Sequence, residues 1–191
     1  IHAASSRASG PFIVINAATI TPDHMEEALF GVEAGEGRSR ISGALEEAHG
    51  GTLFIDEIAD MPRETQNKIL RVLVDQNFQR VGGSTRIFVD VRIISSTSRN
   101  LEQEIASGTF REDLYHRLSV VPIRVPALSE RREDIPDLID TFMEQISTAT
   151  GLPRRLIAED AMAVLQTHDW PGNVRQLRNN IERLMILATG D

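Results

Sequence analysis

Three short stretches rich in apolar residues, each ending in polar side chains, set the pattern of the first half of the chain. The stretches cover residues 12–15, 52–55 and 89–94, and the polar positions after them are Asn16, then Asp56 and Glu57, then residues 95–98. Such runs are typical of buried strands in a parallel sheet. Because α/β sheets bind ligands at the carboxyl ends of their strands, the pattern predicts a ligand site there.

A helix and a glycine-rich loop are predicted after the first strand. Pro22 suits the first turn of a helix that runs to Phe30, and Gly31 suits its end. Residues 31–43 contain four glycines and few apolar side chains, which indicates a mobile surface loop. Loops of this length are usually functional or disordered.

A second helix, a hairpin and an edge strand are predicted further along the chain. The helix begins at Pro62, and residues 78–81 and 85–89 form the hairpin. A strand is predicted at 120–126, where Pro122 would restrict it to the edge of a sheet. The helix is predicted to place four apolar residues on one side: Ile69, Leu70, Leu73 and Val74.

The last third of the chain has helical patterns. They follow a charged segment and cover about residues 134–145, 159–167 and 173–187. Asn173 is suited to cap the last of these helices. We therefore expect an α/β core over residues 1–127 and a small helical domain over residues 128–191.

Composition and charge narrow the classes of function. The 191 residues are 41% apolar and 25% charged, as in ordinary globular proteins, and the net charge of −8 argues against a general nucleic-acid or membrane binder. The sequence has no Cys, which excludes disulfides, thiolate catalysis and Cys-based metal sites, and its five His lack metal-ligand spacing. The first residues show neither an initiator Met nor a signal pattern, so we interpret the chain as a fragment of a longer cytoplasmic protein.

The adjacent acids Asp56 and Glu57 are the strongest chemical signal. Carboxylates at the end of a buried strand can hold Mg²⁺ and orient the water that attacks a phosphoryl group, which is the chemistry of a Walker B motif. They can equally cap the helix that follows, and Asn16 can simply satisfy the backbone of its own loop. Two arginines, Arg111 and Arg117, would lie about 240° apart on an ideal helix. These two cations, like Arg175 in the last helix, are also compatible with ordinary surface charge.

Several segments together resemble the central AAA+ ATPase domain of sigma-54-dependent bacterial transcription activators. They recur in the family's order over nearly the whole chain, and comprise residues 27–31, 50–57, 90–94, 110–118, 126–131 and 170–177. The resemblance implies a P-loop-type parallel sheet with flanking helices, followed by a small all-helical lid domain. It also implies ATP and Mg²⁺ as cofactors.

The resemblance further implies roles for individual residues. Asp56 would order the Mg²⁺-bound water, Glu57 would activate the attacking water, and Asn16 would restrain Glu57 as a switch. Thr97 and Ser98 would occupy the sensor I position. Arg111 and Arg117 would be arginine fingers that reach the nucleotide of the neighbouring subunit, and Arg175 would be sensor II, near the phosphates. Arginine suits these roles because its charge is permanent and its shape matches phosphate oxygens. A shared site of this kind requires a ring, a hexamer or heptamer when active and a dimer otherwise.

Three departures from the family pattern limit these expectations. The Walker A motif is absent from the sequence, so we expect it, with the strand before it, upstream of Ile1, and we expect this piece alone to bind ATP poorly. After Gly31 the family's Gly-Ala-Phe-Thr-Gly-Ala loop is replaced by a shorter segment without an aromatic residue, residues 32–38. Ser98 stands where many members have Asn or His.

The sequence therefore predicts the AAA+ part of a two-component transcription regulator. In the intact protein a receiver domain would face the sensor kinase and a helix-turn-helix domain would bind DNA, both outside this chain. RNA polymerase with a sigma factor is a possible partner, although the altered loop argues against the usual remodelling of the sigma-54 enzyme. The alternative is an assembly module that binds nucleotide but hydrolyses it weakly or not at all.

Overall fold

The computed structural model describes residues 1–35, 37 and 39–187. The chain divides into two compact units, residues 1–122 and 123–191. The first unit contains a parallel sheet with flanking helices, and the described residues of the second unit form helices and their connections.

A three-stranded parallel sheet forms the centre of the first unit. Its strands, in spatial order, are β1 (Phe12–Asn16), β2 (Thr52–Asp56) and β5 (Arg92–Ser95). The middle strand is paired on both sides, and its Leu53 and Ile55 are fully buried. The parallel strands predicted from the three apolar stretches are confirmed.

Helices and a small hairpin surround this sheet. The helices are α1 (Pro22–Phe30), α2 (Ala44–Glu47), α3 (Arg63–Asp75), α4 (Leu101–Ala106) and α5 (Glu112–Leu118), and the hairpin strands are β3 (Asn77–Gln79) and β4 (Arg86–Phe88). Apolar side chains of the helices and of the sheet share one core, which includes Met25, Leu29, Leu45, Ile69 and Leu114. The predicted hairpin is confirmed.

The glycine-rich segment after α1 is held at its base. Gly31 ends the helix with φ +75°, a positive φ that glycine adopts without strain. Val32 and Ile41 exchange two backbone hydrogen bonds, and a Cβ on Gly43 would lie 2.3 Å from the Gly31 nitrogen. The two ends of the loop are thus fixed against each other, and the mobility that its composition indicated stays a prediction. Of its tip, Glu36 and Arg38 lie outside the described residues.

The apolar side of α3 differs from the predicted one. Ile69 and Val72 are buried, whereas Val74 is 60% exposed. Five residues separate Ile69 from Val74, which places their side chains about 140° apart on a helix, so both cannot face the core. The prediction for Val74 was wrong because several neighbouring apolar positions allowed two different faces.

The strand predicted at residues 120–126 does not form. This segment belongs to no strand within the described residues. The apolar residues that would have packed in a sheet are exposed: Val120, Val121, Ile123 and Val125. Since a strand is defined by the partner it bonds to, β-branched composition alone does not produce one here.

Among the described residues, three α-helices form most of the second unit. They are α6 (Ile135–Thr150), α7 (Glu159–Thr167) and α8 (Asn173–Leu187). Their core combines Leu128 and Trp170 from the connections with apolar side chains of α6 and α8, including Ile139, Phe142, Leu177 and Ile181. The first helix is longer than predicted and ends where Gly151 takes φ +75°.

The turn before α8 uses its polar residues differently from the sequence prediction. The Asn173 Oδ1 atom accepts a hydrogen bond from the Leu128 backbone nitrogen at 2.8 Å, so this side chain ties the turn to the start of the unit instead of capping its own helix. The Gly172 nitrogen donates to the Gln176 Oε1 atom at 2.9 Å. Trp170 is only 4% exposed, and its indole nitrogen donates to the Leu165 carbonyl at 2.7 Å, as expected of a packing residue.

Within the described ranges, no helix combines the length and the apolar character that crossing a bilayer requires.

Gln66 of α3 provides a test of how the first unit is held together. This side chain is fully buried, donates to the carbonyls of Met61 and Thr109, and accepts from the backbone nitrogen of Arg111. We expect Gln66→Ala to lower the free energy of unfolding by roughly 2 to 3 kcal/mol, because it leaves buried polar groups without partners. Urea denaturation measures this change.

The exposed neighbour Asn67 is the matched control, because Asn67→Ala shortens a side chain on the same helix outside the core. We expect a change within about 0.5 kcal/mol for this variant. Equal stabilities of the two variants would contradict the role assigned to Gln66.

Candidate functional site

Polar side chains from three neighbouring strands meet at the carboxyl edge of the sheet. The Asn16 Nδ2 atom donates to the Asp56 Oδ2 atom at 3.2 Å, and the Ser96 hydroxyl donates to the Asp56 Oδ1 atom at 2.5 Å. The register pairs Asn16 directly with Asp56, which explains why their side chains emerge together. We call Asn16, Asp56, Glu57, Ser96 and Ser98 the strand-end cluster.

Glu57 leaves the strand in a different direction from Asp56. Its backbone has φ +52° and ψ +53°, a left-handed conformation that is uncommon for a residue other than glycine. The Glu57 Oε2 atom accepts two hydrogen bonds from Ser98, one from the backbone nitrogen and one from the hydroxyl, each at 3.0 Å. The two adjacent carboxylates therefore have separate partners.

The position of Asn16 differs from the switch role that the family resemblance implied. Its amide nitrogen bonds Asp56 instead of Glu57, and its Oδ1 atom accepts from the Ala18 nitrogen at 2.9 Å. The cause is geometric: the register sets Asn16 beside Asp56, while the left-handed backbone turns Glu57 towards Ser98. The simpler reading, in which Asn16 supports its own loop, agrees with the bond to Ala18, whereas no contact with Glu57 is seen within the described residues.

Thr97 lies next to the cluster and stabilises the turn after β5. Its hydroxyl oxygen accepts a hydrogen bond from the Arg99 backbone nitrogen at 3.1 Å. Arg99 in turn forms an ion pair with Asp60, and Asn100 caps α4 by accepting from two backbone nitrogens. The segment that carries Thr97 and Ser98 is fixed on both sides.

The two arginines around α5 stand at its opposite ends. Arg111 precedes the helix with an extended backbone, and its Nε and Nη2 atoms bond both carboxylate oxygens of Asp113, at 2.9 and 2.5 Å. These bonds lower the pKa of Asp113 and raise that of Arg111. Arg117 lies in the last turn and donates to the Leu73 carbonyl of α3 at 3.0 Å. The break before the helix means that the two side chains are not confined to opposite faces of one helix.

Arg175 belongs to the second unit. It lies in the first turn of α8, and its side chain is exposed. Its neighbour Leu177 is fully buried and anchors this end of the helix in the core of that unit.

The strand-end cluster fits a Mg²⁺ ion that is bound through water. No group of three or more His, Cys, Asp or Glu side chains suited to hold a metal occurs in the part of the chain that the structure describes. Mg²⁺ commonly keeps several waters and is bound by one or two carboxylates together with phosphate oxygens. Asp56, with the hydroxyl and amide groups around it, offers that kind of partial site.

An ion cluster that the sequence did not reveal lies at the base of the glycine-rich loop. The Arg80 side chain is 6% exposed and bonds Glu33 at 2.8 Å and Glu46 at 2.7 and 2.6 Å. It joins the hairpin, the loop and α2. Hydrogen bonds from Arg80 hold the pKa of both carboxyl groups below the ordinary range. The three residues are far apart in the chain, so no local pattern marks them.

Ser96 is a second residue whose role the sequence alone does not reveal. Its position in the polar run at residues 95–98 is the only sign in the sequence that it could belong to the site. The pairing of β2 with β5 is what shows that it faces Asp56.

Comparison with known families establishes the class of protein to which this fold and this site belong. Residues 1–124 match the family described as the Sigma-54 interaction domain, and residues 129–191 match the family described as the AAA+ ATPase lid domain. The chain therefore belongs to the AAA+ sigma-54 interaction domain family. The resemblance, the parallel-sheet core and the helical lid predicted from the sequence are confirmed.

Relatives within the family include regulators named NtrX. The nitrogen assimilation regulatory protein NtrX of Azorhizobium caulinodans is 75% identical over all 191 residues, which cover 42% of that protein. The crystal structure of NtrX from Brucella abortus matches the whole chain at 69% identity with a TM-score of 0.95, over 43% of its own length. A second structure of that Brucella protein, in complex with ATP, matches with a TM-score of 0.92 at 68% identity. The chain spans about two fifths of the length of these relatives.

The Arg80 cluster generates a pH-dependent prediction. The pKa of Glu46 is lowered from 4.5 in the fold, chiefly by its hydrogen bond to Arg80. Its stabilising effect is therefore fully present above the unfolded value and is lost as the pH falls through the lowered value. We expect Glu46→Gln to lower Tm near neutral pH, and the difference from the natural protein to shrink below about pH 4.5. Thermal denaturation over a pH series measures this.

Glu47 is the matched control, since it is the exposed neighbour of Glu46 on α2. Glu47→Gln is expected to leave Tm nearly unchanged throughout the series. A Tm difference for Glu46→Gln that persists undiminished into acid would contradict the charge-based explanation.

Proposed function

We propose that this chain is the ATP-hydrolysing AAA+ part of a bacterial two-component transcription regulator. The observation that carries the proposal is the strand-end cluster, in which two adjacent carboxylates with separate hydrogen-bond partners stand at the carboxyl edge of three parallel strands. Phosphoryl transfer commonly uses a carboxylate near the metal and a second residue that orients the attacking water. In this proposal the two acids of the cluster take these two tasks.

The two carboxylates are assigned different tasks in this proposal. Asp56, held by Asn16 and Ser96, would order the water shell of a Mg²⁺ ion bound to the nucleotide phosphates. Glu57 would accept a proton from the attacking water. Asn16 and the sensor I residues Thr97 and Ser98 support the site from the two neighbouring strands.

The arginines would complete the site between subunits. Arg111 and Arg117 would act as fingers on the nucleotide of a neighbouring subunit, and Arg175 as the lid residue near the phosphates. Arginine suits this task because its charge is permanent and its planar fork matches phosphate oxygens. In this proposal Arg111 exchanges its bonds to Asp113 for a phosphate when a ring forms, as a hexamer or heptamer that assembles from dimers.

The nucleotide assignment is supported by the ATP complex of the Brucella abortus relative. The Walker A motif, whose backbone amides and lysine would cradle the phosphates, does not occur in the sequence of this chain. Hydrolysis is therefore proposed for the intact regulator, and the piece described here is expected to bind ATP weakly alone.

The output of the regulator is proposed to differ from that of typical relatives in the family. The segment after Gly31 lacks the aromatic residue with which family loops contact sigma-54, although its base is firmly held. We therefore propose regulation of transcription without the usual remodelling of sigma-54 polymerase. In the intact cytoplasmic protein, a receiver domain would respond to a sensor kinase and a helix-turn-helix domain would bind DNA.

One observation favours a second candidate function. Both carboxylate oxygens of Asp113 are bonded by Arg111, and Arg117 is bonded to a main-chain carbonyl. If these contacts persist in the assembled protein, nucleotide would control assembly only, with little hydrolysis.

ATP hydrolysis by the intact regulator, followed as a function of protein concentration, tests the proposed activity. We expect the rate per subunit to rise with concentration, because the site is shared. Glu57→Ala should reduce kcat by about 100-fold or more through loss of the base, and Arg111→Ala by a similar or larger factor through loss of a finger.

Arg86→Ala is the matched control for the charge change, because Arg86 is an exposed arginine of β4. It should retain the natural rate. Nucleotide binding without turnover at any protein concentration would contradict hydrolysis and support the assembly function.

Promoter opening by sigma-54 polymerase tests the proposed output separately. We expect no open complex above background with the intact regulator and ATP, because the loop lacks its aromatic contact residue. A family activator that retains the aromatic loop is the positive control. Robust open-complex formation by the regulator would overturn the proposal about its output and leave the ATPase proposal standing.

A further inference from the structure

The fully buried amide of Gln66 connects two chain segments that the proposed reaction would use. Its Nε2 atom donates to the Met61 carbonyl at 2.9 Å and to the Thr109 carbonyl at 3.0 Å. Its Oε1 atom accepts from the backbone nitrogen of Arg111 at 3.0 Å. Both N–H groups and the oxygen of the amide are thus engaged at once, in a place where water does not compete for them.

Residues 108–111, which directly precede α5, lie outside any helix or strand. Side chains of α3 hold their backbone in place. Arg63 donates to the first carbonyl of this segment, and Gln66 contacts the backbone on both sides of Phe110. Phe110 itself is buried and belongs to the core of the first unit. The backbone from which the Arg111 side chain extends is therefore fixed to α3.

The other end of this link is the turn that leaves the acidic pair. Met61 lies four positions after Glu57 and is buried. The short helical turn between them is tied to the neighbouring strand end, because the Ile58 nitrogen donates to the Ser96 carbonyl at 2.9 Å. One buried side chain thus joins the segment that follows the chain's own acids to the segment that carries Arg111.

We infer that Gln66 is a positioning residue for the arginine finger: it fixes the backbone from which Arg111 reaches the nucleotide of a neighbouring subunit. This role rests on the proposed ATP hydrolysis in a ring. Within that proposal Arg111 exchanges its bonds to Asp113 for a phosphate, so those bonds cannot hold the finger in place during the reaction. The backbone bond to Gln66 is not broken by that exchange. Displacement of a reacting group by about 1 Å can cost on the order of 100-fold in rate.

Two routes lead from Gln66, and they affect different sites. A defect that passes through Arg111 impairs the site of the neighbouring subunit and leaves the chain's own acids competent. A defect that passes through Met61 impairs the chain's own site. The first route is favoured because two of the three bonds go to residues 109–111, one of them to the finger residue itself. Met61, in contrast, is also held by a bond from its nitrogen to the Ile58 carbonyl at 3.2 Å.

The test uses Gln66→Met in the intact regulator, because methionine keeps the volume of the side chain and removes all three hydrogen bonds. The value of kcat is measured where the rate per subunit no longer rises with protein concentration, so that weaker assembly does not lower it. We expect kcat to fall roughly tenfold. Gln66→Leu is a second variant of similar size, which keeps the test independent of how well one variant folds.

Val72→Ala is the control for lost stability, because it removes buried volume from the same helix and leaves the Gln66 amide in place. It should keep kcat within about twofold of the natural value. Circular dichroism at the assay temperature checks that each variant is folded. In an Arg111→Ala background, Gln66→Met should cost no more than about twofold, because the finger that Gln66 positions is already gone.

Mixed rings decide whether the defect reaches the neighbouring subunit. A Glu57→Ala subunit lacks its base but offers an intact finger, whereas a Gln66→Met subunit keeps its base but offers a misplaced one. If subunits mix at random in equal amounts and the sites act independently, about one interface in four pairs an intact base with an intact finger. The mixture should therefore reach roughly a quarter of the natural rate, above either variant alone. A mixture of Glu57→Ala with Arg111→Ala should behave alike.

A mixed-ring rate no higher than the average of the two separate rates would overturn the inference, as would a further loss in the Arg111→Ala background or a Gln66→Met rate equal to that of Val72→Ala. Failure of the proposed function looks different. Absence of turnover by the natural protein, or no rescue between Glu57→Ala and Arg111→Ala, would overturn the shared site itself. Turnover that depends on both of those residues but not on Gln66 would overturn only the positioning role.

Discussion

The parallel register of β1, β2 and β5 is the constraint on which the candidate site depends. It pairs Asn16 with Asp56 and Ile55 with Ser95, so the polar residues at the ends of the three strands emerge side by side. A slip of one residue would turn the buried Leu53 and Ile55 away from the core. Apolar packing in the middle strand therefore keeps the carboxylates at its end in place, although those groups add little to the core themselves.

Two adjacent acids can have different tasks because the chain turns sharply between them. Asp56 ends the strand and points towards Asn16 and Ser96, whereas the left-handed backbone of Glu57 carries its carboxylate to Ser98. Such a conformation is unfavourable for a side chain larger than glycine and persists only where its surroundings fix it. The backbone bonds between residues 55–58 and Ser96 provide that fixation. Separate orientation of the acids is thus a property of the strand end and not of either residue alone.

The base of the glycine-rich loop is also tied closely to the core. Arg80 is buried and bonds Glu33 at the start of the loop and Glu46 of α2. Loss of Arg80 would leave Glu33 and Glu46 without the cation that they share, whereas loss of either acid leaves Arg80 paired with the other, so the cluster depends mainly on the arginine.

The sequence by itself determined the parallel strands, the helical second unit and the expectation that Asn16 and Asp56 occupy equivalent positions, because these follow from local runs of apolar and polar residues. Tertiary structure decided the partners: Asn16 bonds Asp56, Glu57 bonds Ser98, Asn173 bonds the backbone of Leu128, and Arg80 joins two acids. It also decided that Val74 and residues 120–125 are exposed. Such contacts depend on which segments, far apart in the chain, the fold brings together. A local sequence pattern carries no information about those long-range contacts.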